Sequence, residues 1–115
     1  MKNILLYPGL LLLITIHSCS ESTPVSKNGQ LSVSGNQLVN EDGEQIMLYG
    51  ISYGWHNWWP RFYNDGTVKT LADDWGVNVV RAAMGVEPEK GYLNEPAWSL
   101  EKITAVIDAA INEDI

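Results

Sequence analysis

An α/β fold built on a parallel sheet is what this chain predicts. Two observations carry the prediction. After a short hairpin the order is strand, helix, strand, helix, and the strands show little of the apolar–polar alternation that a one-sided sheet imposes. Length supplies the third: of 115 residues the first eighteen read as a leader, leaving two strand–helix units, too few to close such a sheet.

The leader carries one positive charge, Lys2, then the largely apolar run Ile4 to Ile16, then Ser18 directly before Cys19. That is the layout of a secretory signal peptide. Interrupted by Pro8 and Gly9, the run falls short of the roughly 18 residues that a membrane span requires, and it lacks the stripe of an amphipathic core helix. Ile16-His17-Ser18-Cys19 resembles a bacterial lipobox, so Cys19 is the expected lipid-attachment site, with His17 departing from the usual small residue. The expected division is a lipoprotein-type signal peptide over 1–18, a polar tether over 19–28 and a partial domain over 29–115.

Leu31, Val33, the Gly35-Asn36 turn and Leu38-Val39 predict the hairpin, and the turn Asn40 to Gly43 leads to a buried strand around 46–51. From Gly50 to Phe62 no period survives, and the residues are those of a strand-to-helix loop dense in aromatics. Asp65 or Thr67 is the expected cap of a helix with Val68, Leu71, Ala72 and Trp75 on one face, ended by Gly76. The run Val77 to Met84 predicts a second strand turning polar at Arg81. Gly85 to Glu95 is loop. Asn94 and Pro96 then open a last helix whose apolar face is Leu100, Ile103, Val106, Ile107, Ala110 and Ile111.

Charge narrows the partners. The chain has 14 acidic and 7 basic side chains and a formal net charge of −7, which repels phosphate backbones and disfavours nucleic acid. Cys19 is the only cysteine, so neither an intrachain disulfide nor a thiol-metal cluster is available. Trp55, His56, Asn57, Trp58, Trp59 and Phe62 crowd into one loop. Flat indoles cover the C–H face of a sugar ring while polar side chains meet its hydroxyls. Trp58 and Trp59, as neighbours in extended backbone, point opposite ways, one to a groove and one to the scaffold. His56 either serves a sugar hydroxyl or a carboxylate, or is a hydrogen-bonded structural residue. Arg81 either holds a catalytic carboxylate ionised or makes a structural ion pair with Asp73, Asp74 or Glu87. No two carboxylates are set on separate strand ends as glycoside hydrolysis requires.

Gly29 to Val33, Gly35 to Val39, Tyr49-Gly50-Ile51-Ser52, Trp58 to Tyr63, Leu71 to Gly76, Val80 to Met84 and Gly91-Tyr92-Leu93 together resemble the opening of glycoside hydrolase family 5 endoglucanases, bacterial cellulases in particular, over residues 29–115. The resemblance implies the N-terminal portion of a (β/α)8 TIM barrel preceded by a short β-hairpin and truncated before the third barrel strand. It implies that the full-length protein is an endo-β-1,4-glucanase, hydrolysing β-1,4-linked glucan by double displacement with retention. Both family glutamates, after the fourth and seventh strands, would lie beyond Ile115, so the chain by itself is expected to be inactive. Arg81 matches the arginine that supports the nucleophile, and Trp58 an aromatic near the sugar sites. The family's first-loop histidine falls opposite Gly54, two positions before His56. The expected substrate-binding residues are thus His56, Trp58 and Trp59, with Arg81 in a supporting catalytic role. No cofactor or metal is implied. The protein is expected to be exported as an outer-membrane or cell-surface lipoprotein, or secreted, with the membrane engaged only through the lipid anchor. The competing expectation is a non-catalytic carbohydrate-binding surface lipoprotein.

Overall fold

The computed structural model describes residues 22–115, so the expected signal peptide and lipidation at Cys19 lie outside the described residues. Among those described, no helix is long and apolar enough to cross a membrane.

Residues 24–28, expected as tether, form the short helix α1 (Pro24–Asn28), capped by Thr23, with a proline in its first turn. It does not stand apart: the Val25 N–H donates to the Asp114 carbonyl at 3.2 Å, and Thr23 Oγ1 bonds the Asp114 carboxylate. The hairpin follows as expected, β1 (Ser32–Ser34) antiparallel to β2 (Gln37–Val39), with Gly35 at φ +62 supplying the left-handed turn position.

The next strand begins later than the sequence suggests. Instead of 46–51, β3 spans Gly50–Trp55 and takes in residues read as loop. The apolar run Met47–Tyr49 remains exposed and is satisfied by one side chain. Asn78 Oδ1 accepts the Tyr49 N–H and Asn78 Nδ2 donates to the Met47 carbonyl, both at 2.8 Å, an amide standing in for a neighbouring strand.

A 3₁₀ turn (Pro60–Phe62) leads to α2 (Asp65–Asp73). Asn64 caps this helix, not Asp65 or Thr67: its Oδ1 accepts the Thr67 N–H at 2.9 Å, and its Nδ2 donates to the Arg61 carbonyl. Gly76, at φ +64, reverses the chain as expected, but Trp75 lies past the helix end and is exposed. Then come β4 (Val79–Ala83) and α3 (Pro96–Asn112). Glu95 occupies the α3 cap position without a side-chain bond, while Asn94 turns back to the Pro88 carbonyl. Only part of the α3 apolar face is used. Val106 and Ala109 are buried with Ile103 and Ala110 beside them, whereas Leu100, Ile107 and Ile111 are exposed.

β3 and β4 are parallel, with Gly50 opposite Val79 and Ser52 opposite Arg81; a bulge follows, after which Trp55 is opposite Ala83. At Gly50 a Cβ would stand 1.7 Å from the Val79 carbonyl oxygen, so only glycine permits this approach. One face of the pair packs on α2 and α3 through Val80, Ala82 and Tyr53, around a core of Tyr63, Val68, Leu71, Val77, Val106 and Ala109. Each fully buried valine or leucine there is worth roughly 1.5–3 kcal/mol. The other edge of β3 has no partner strand among the described residues. Parallel strands joined through helices on one face make the strand–helix repeat of a partial barrel-like fold.

Candidate active site

The carboxyl-terminal ends of β3 and β4 open on a groove of about 500 Å³ lined by Trp55, Met84, Val86, Glu87 and Pro88. Trp58 is 62% exposed and its ring lies 4.8 Å from that of Trp55, a tilted indole pair at the mouth. Trp55 was read as one of the loop aromatics; its place at the strand end and in the groove wall follows from where β3 stops.

Trp59 is set differently from Trp58. A Cβ on Gly54, which has φ +73, would stand 2.8 Å from Trp59 Cδ1, so the indole lies directly on glycine backbone. The Arg61 guanidinium covers the Trp59 and Phe62 rings at 5.9 and 4.7 Å from their centroids. Trp59 is thus the more anchored of the two neighbouring indoles, though still 45% exposed.

His56 has 0% exposure, and both ring nitrogens are engaged. Nδ1 accepts the Gly85 N–H at 3.2 Å, which fixes the proton on Nε2, and that N–H donates to Ser99 Oγ at 2.8 Å. The ring lies 5.2 Å from Trp98 and 6.2 Å edge-on from Tyr63. Burial lowers its pKa from 6.5. No ring nitrogen is left for a sugar hydroxyl, so of the two expectations for His56 the structural one fits this arrangement. The reason is that β3 runs on to Trp55 and carries the next residue inward. Ser99 gives no sequence signal in a helix, and its distance of 43 residues from His56 hides the pairing.

Tyr63 supports the same region. Its hydroxyl lies 2.5 Å from the Gly54 carbonyl oxygen and 2.9 Å from that of Ala83, one hydroxyl serving the ends of both strands. Burial raises the pKa of Tyr63, and burial with the neighbouring Tyr63 raises that of Tyr53 to about 12.

Arg81 lies within β4 rather than at its end, on the face opposite Val80 and Ala82. It is exposed, and its Nη1 donates to Ser52 Oγ at 3.0 Å. None of Asp73, Asp74 or Glu87 forms an ion pair with it. Asp73 is taken by Lys69 at 2.8 Å on the surface of α2. Glu87 borders the groove, and among the described residues no second carboxylate lines it. Among the described residues no three histidine, cysteine or acidic side chains group as metal ligands.

Residues 39–115 match the family model described as cellulase, glycosyl hydrolase family 5. The chain is similar to an endoglucanase of Clostridium saccharobutylicum, 41% identical over 93 residues, which are 81% of this chain and 20% of that protein. Among solved structures it is similar to one from Cytophaga hutchinsonii, 46% identical with a TM-score of 0.78, covering 81% of this chain and 30% of that one. It also resembles the catalytic domain of Thermobifida fusca endoglucanase Cel5A, 31% identical with a TM-score of 0.72, covering 79% and 30%. The chain spans about a fifth of the length of the curated relatives it matches. The match runs through β3, the aromatic loop and β4, the segments that build the groove, and on it the chain belongs to the cellulase family, glycosyl hydrolase family 5.

Proposed function

We propose that the full-length protein containing this chain is an endo-β-1,4-glucanase with a complete (β/α)8 barrel, retaining configuration by double displacement. Family membership over residues 39–115 carries the reading. The groove supports it. Trp55 and Trp58 offer apolar surface for sugar rings, Trp59 holds the loop, and Arg81 presents a guanidinium beside Ser52 on the face away from the helices. Among the described residues Glu87 is the only carboxylate on the groove, and retaining hydrolysis needs two about 5–5.5 Å apart, so these residues supply binding and support rather than the acid and nucleophile.

The test is a reducing-end assay of the full-length gene product on carboxymethylcellulose. Cleavage is expected; cleavage of mannan alone moves the specificity, and glucan binding without cleavage favours a carbohydrate-binding protein. In the active enzyme Arg81→Lys keeps the charge and loses the planar fork. Turnover is expected to fall roughly 10- to 1000-fold with little change in unfolding midpoint, about 1.4–4 kcal/mol of transition-state stabilisation. Lowered stability with normal turnover would make Arg81 structural. The same reading includes export and lipidation at Cys19, tested by whether Cys19→Ser releases the protein from the membrane fraction.

A further inference from the structure

We infer that His56 is a positioning residue that sets the two walls of the groove against each other. It does so as the Nε2–H tautomer, tying the aromatic loop to the loop after β4 through Gly85 and to α3 through Ser99. The inference rests on the groove being the glucan site proposed above.

The bond to Gly85 joins residues that neighbour the groove on both sides. His56 follows Trp55, one wall, and Gly85 stands between Met84 and Val86, the other. The His56 N–H also donates to the Ala83 carbonyl at 3.1 Å, so main chain and side chain clasp the end of β4 together. Asn57 extends the clasp by donating from Nδ2 to the Glu89 carbonyl at 3.0 Å. The fit is close: a Cβ on Gly85 would stand 2.5 Å from Asn57 Oδ1, so the Asn57 amide would have to move to admit one. Ser99 anchors the ring from behind, in the first turn of α3, with Trp98 over its face.

The clasp works only while the imidazole is neutral. Protonation places a hydrogen on Nδ1 facing the Gly85 N–H, donor against donor. The groups packed around the ring offer no compensating charge: Tyr63 is the titratable neighbour, while Trp98, Ser99, Ala83 and Gly85 are uncharged. Acid therefore loosens one wall from the other without touching any sugar-binding side chain.

Two replacements divide the bonds. In His56→Asn an amide oxygen takes the place of Nδ1 and keeps the Gly85 bond. In His56→Gln an amide nitrogen takes the place of Nε2 and keeps the Ser99 bond. For the full-length enzyme acting on cellohexaose, His56→Gln is expected to raise KM roughly tenfold with kcat within about twofold, and His56→Asn to stay within about threefold of wild type in both. Wild-type KM should rise as pH falls toward the His56 pKa, which burial holds below its ordinary value, and that of His56→Asn should not. Equal KM in all three proteins, with only the unfolding midpoint lowered, would overturn the inference and leave His56 a core residue. Should the wild type neither bind nor cleave glucan, the enzyme reading fails separately. Hydrogen exchange then decides the clasp: faster exchange across residues 56–62 and 85–95 in His56→Gln but not in His56→Asn supports it, and equal exchange in both rejects it.

Discussion

Between Trp55 and Asp65 the chain adds to its own main-chain bonds, Trp58 and Trp59 to Trp55, Phe62 to Trp59 and Tyr63 to Pro60, side chains that reach distant backbone: His56 to Gly85, Asn57 to Glu89 and Tyr63 to Ala83. Between Met84 and Pro96 the chain is fixed largely by its own main chain. Tyr92 donates to Gly85, Leu93 to Val86, and Gly91 to Pro88, at 2.8, 3.1 and 2.7 Å. Two loops at the same end of the sheet thus carry different vulnerabilities. Truncating a polar side chain threatens the first, and crowding the backbone threatens the second.

The largest effect expected from this contrast is in the second loop. A Cβ on Gly91 would lie 2.7 Å from the carbonyl oxygens of Pro88 and Val86 and 2.9 Å from that of Gly85, backbone that cannot step aside. Gly91→Ala should cost about 3 kcal/mol in denaturant unfolding of the full-length protein, with faster hydrogen exchange across 85–95. Tyr63→Phe comes next, because it leaves two carbonyls at the strand ends without their shared hydroxyl; about 2 kcal/mol is expected, with exchange raised at the ends of β3 and β4. Asn64→Ala removes the α2 cap and should cost about 1 kcal/mol, read from the same unfolding curves. If Gly91→Ala raises exchange less across 85–95 than across 56–62, the contrast fails.

The smallest effect is one of pH. Burial lowers the His56 pKa from 6.5, so the unfolded chain takes up the proton first. The contribution of His56 to stability is complete above 6.5 and is lost as pH falls toward its folded value. Unfolding midpoints of wild type and His56→Asn should therefore converge on acidification. Parallel curves would show that His56 is not titrating in the fold.

Much of this arrangement was legible because it is local. The Gly35-Asn36 turn, the Gly76 stop and the burial of Val68 and Leu71 each follow from a few neighbouring residues. Misreadings arose where a local signal was shared or a partner was remote. Asn64, Asp65 and Thr67 can all cap, and the backbone chose the first. Ile46 to Tyr49 has the composition of a strand, yet Ile46 donates to the Leu38 carbonyl and Met47 and Tyr49 are bonded by Asn78, 31 residues after Met47. Leu100, Ile107 and Ile111 belong to the apolar face that the sequence gives α3, but the two helices and two strands described cover only part of that face. At the groove, the aromatic loop could be found from its residue types, while the bonds of His56 depend on Gly85 and Ser99, which no spacing rule connects to it.

The bulge in β3 has a consequence for aim. β3 uses three steps from Ser52 to Trp55 where β4 uses two from Arg81 to Ala83. Side chains alternate along a strand, so if the same residues ran as a regular strand with no bulge, Trp55 would share the helix-facing side with Tyr53. The added step reverses the parity and sets Trp55 on the side of Ser52 and Arg81. The direction of this indole is a matter of counting: the bulge absorbs one residue, so removing Gly54 would leave Trp55 two regular steps from Ser52 and still on its side.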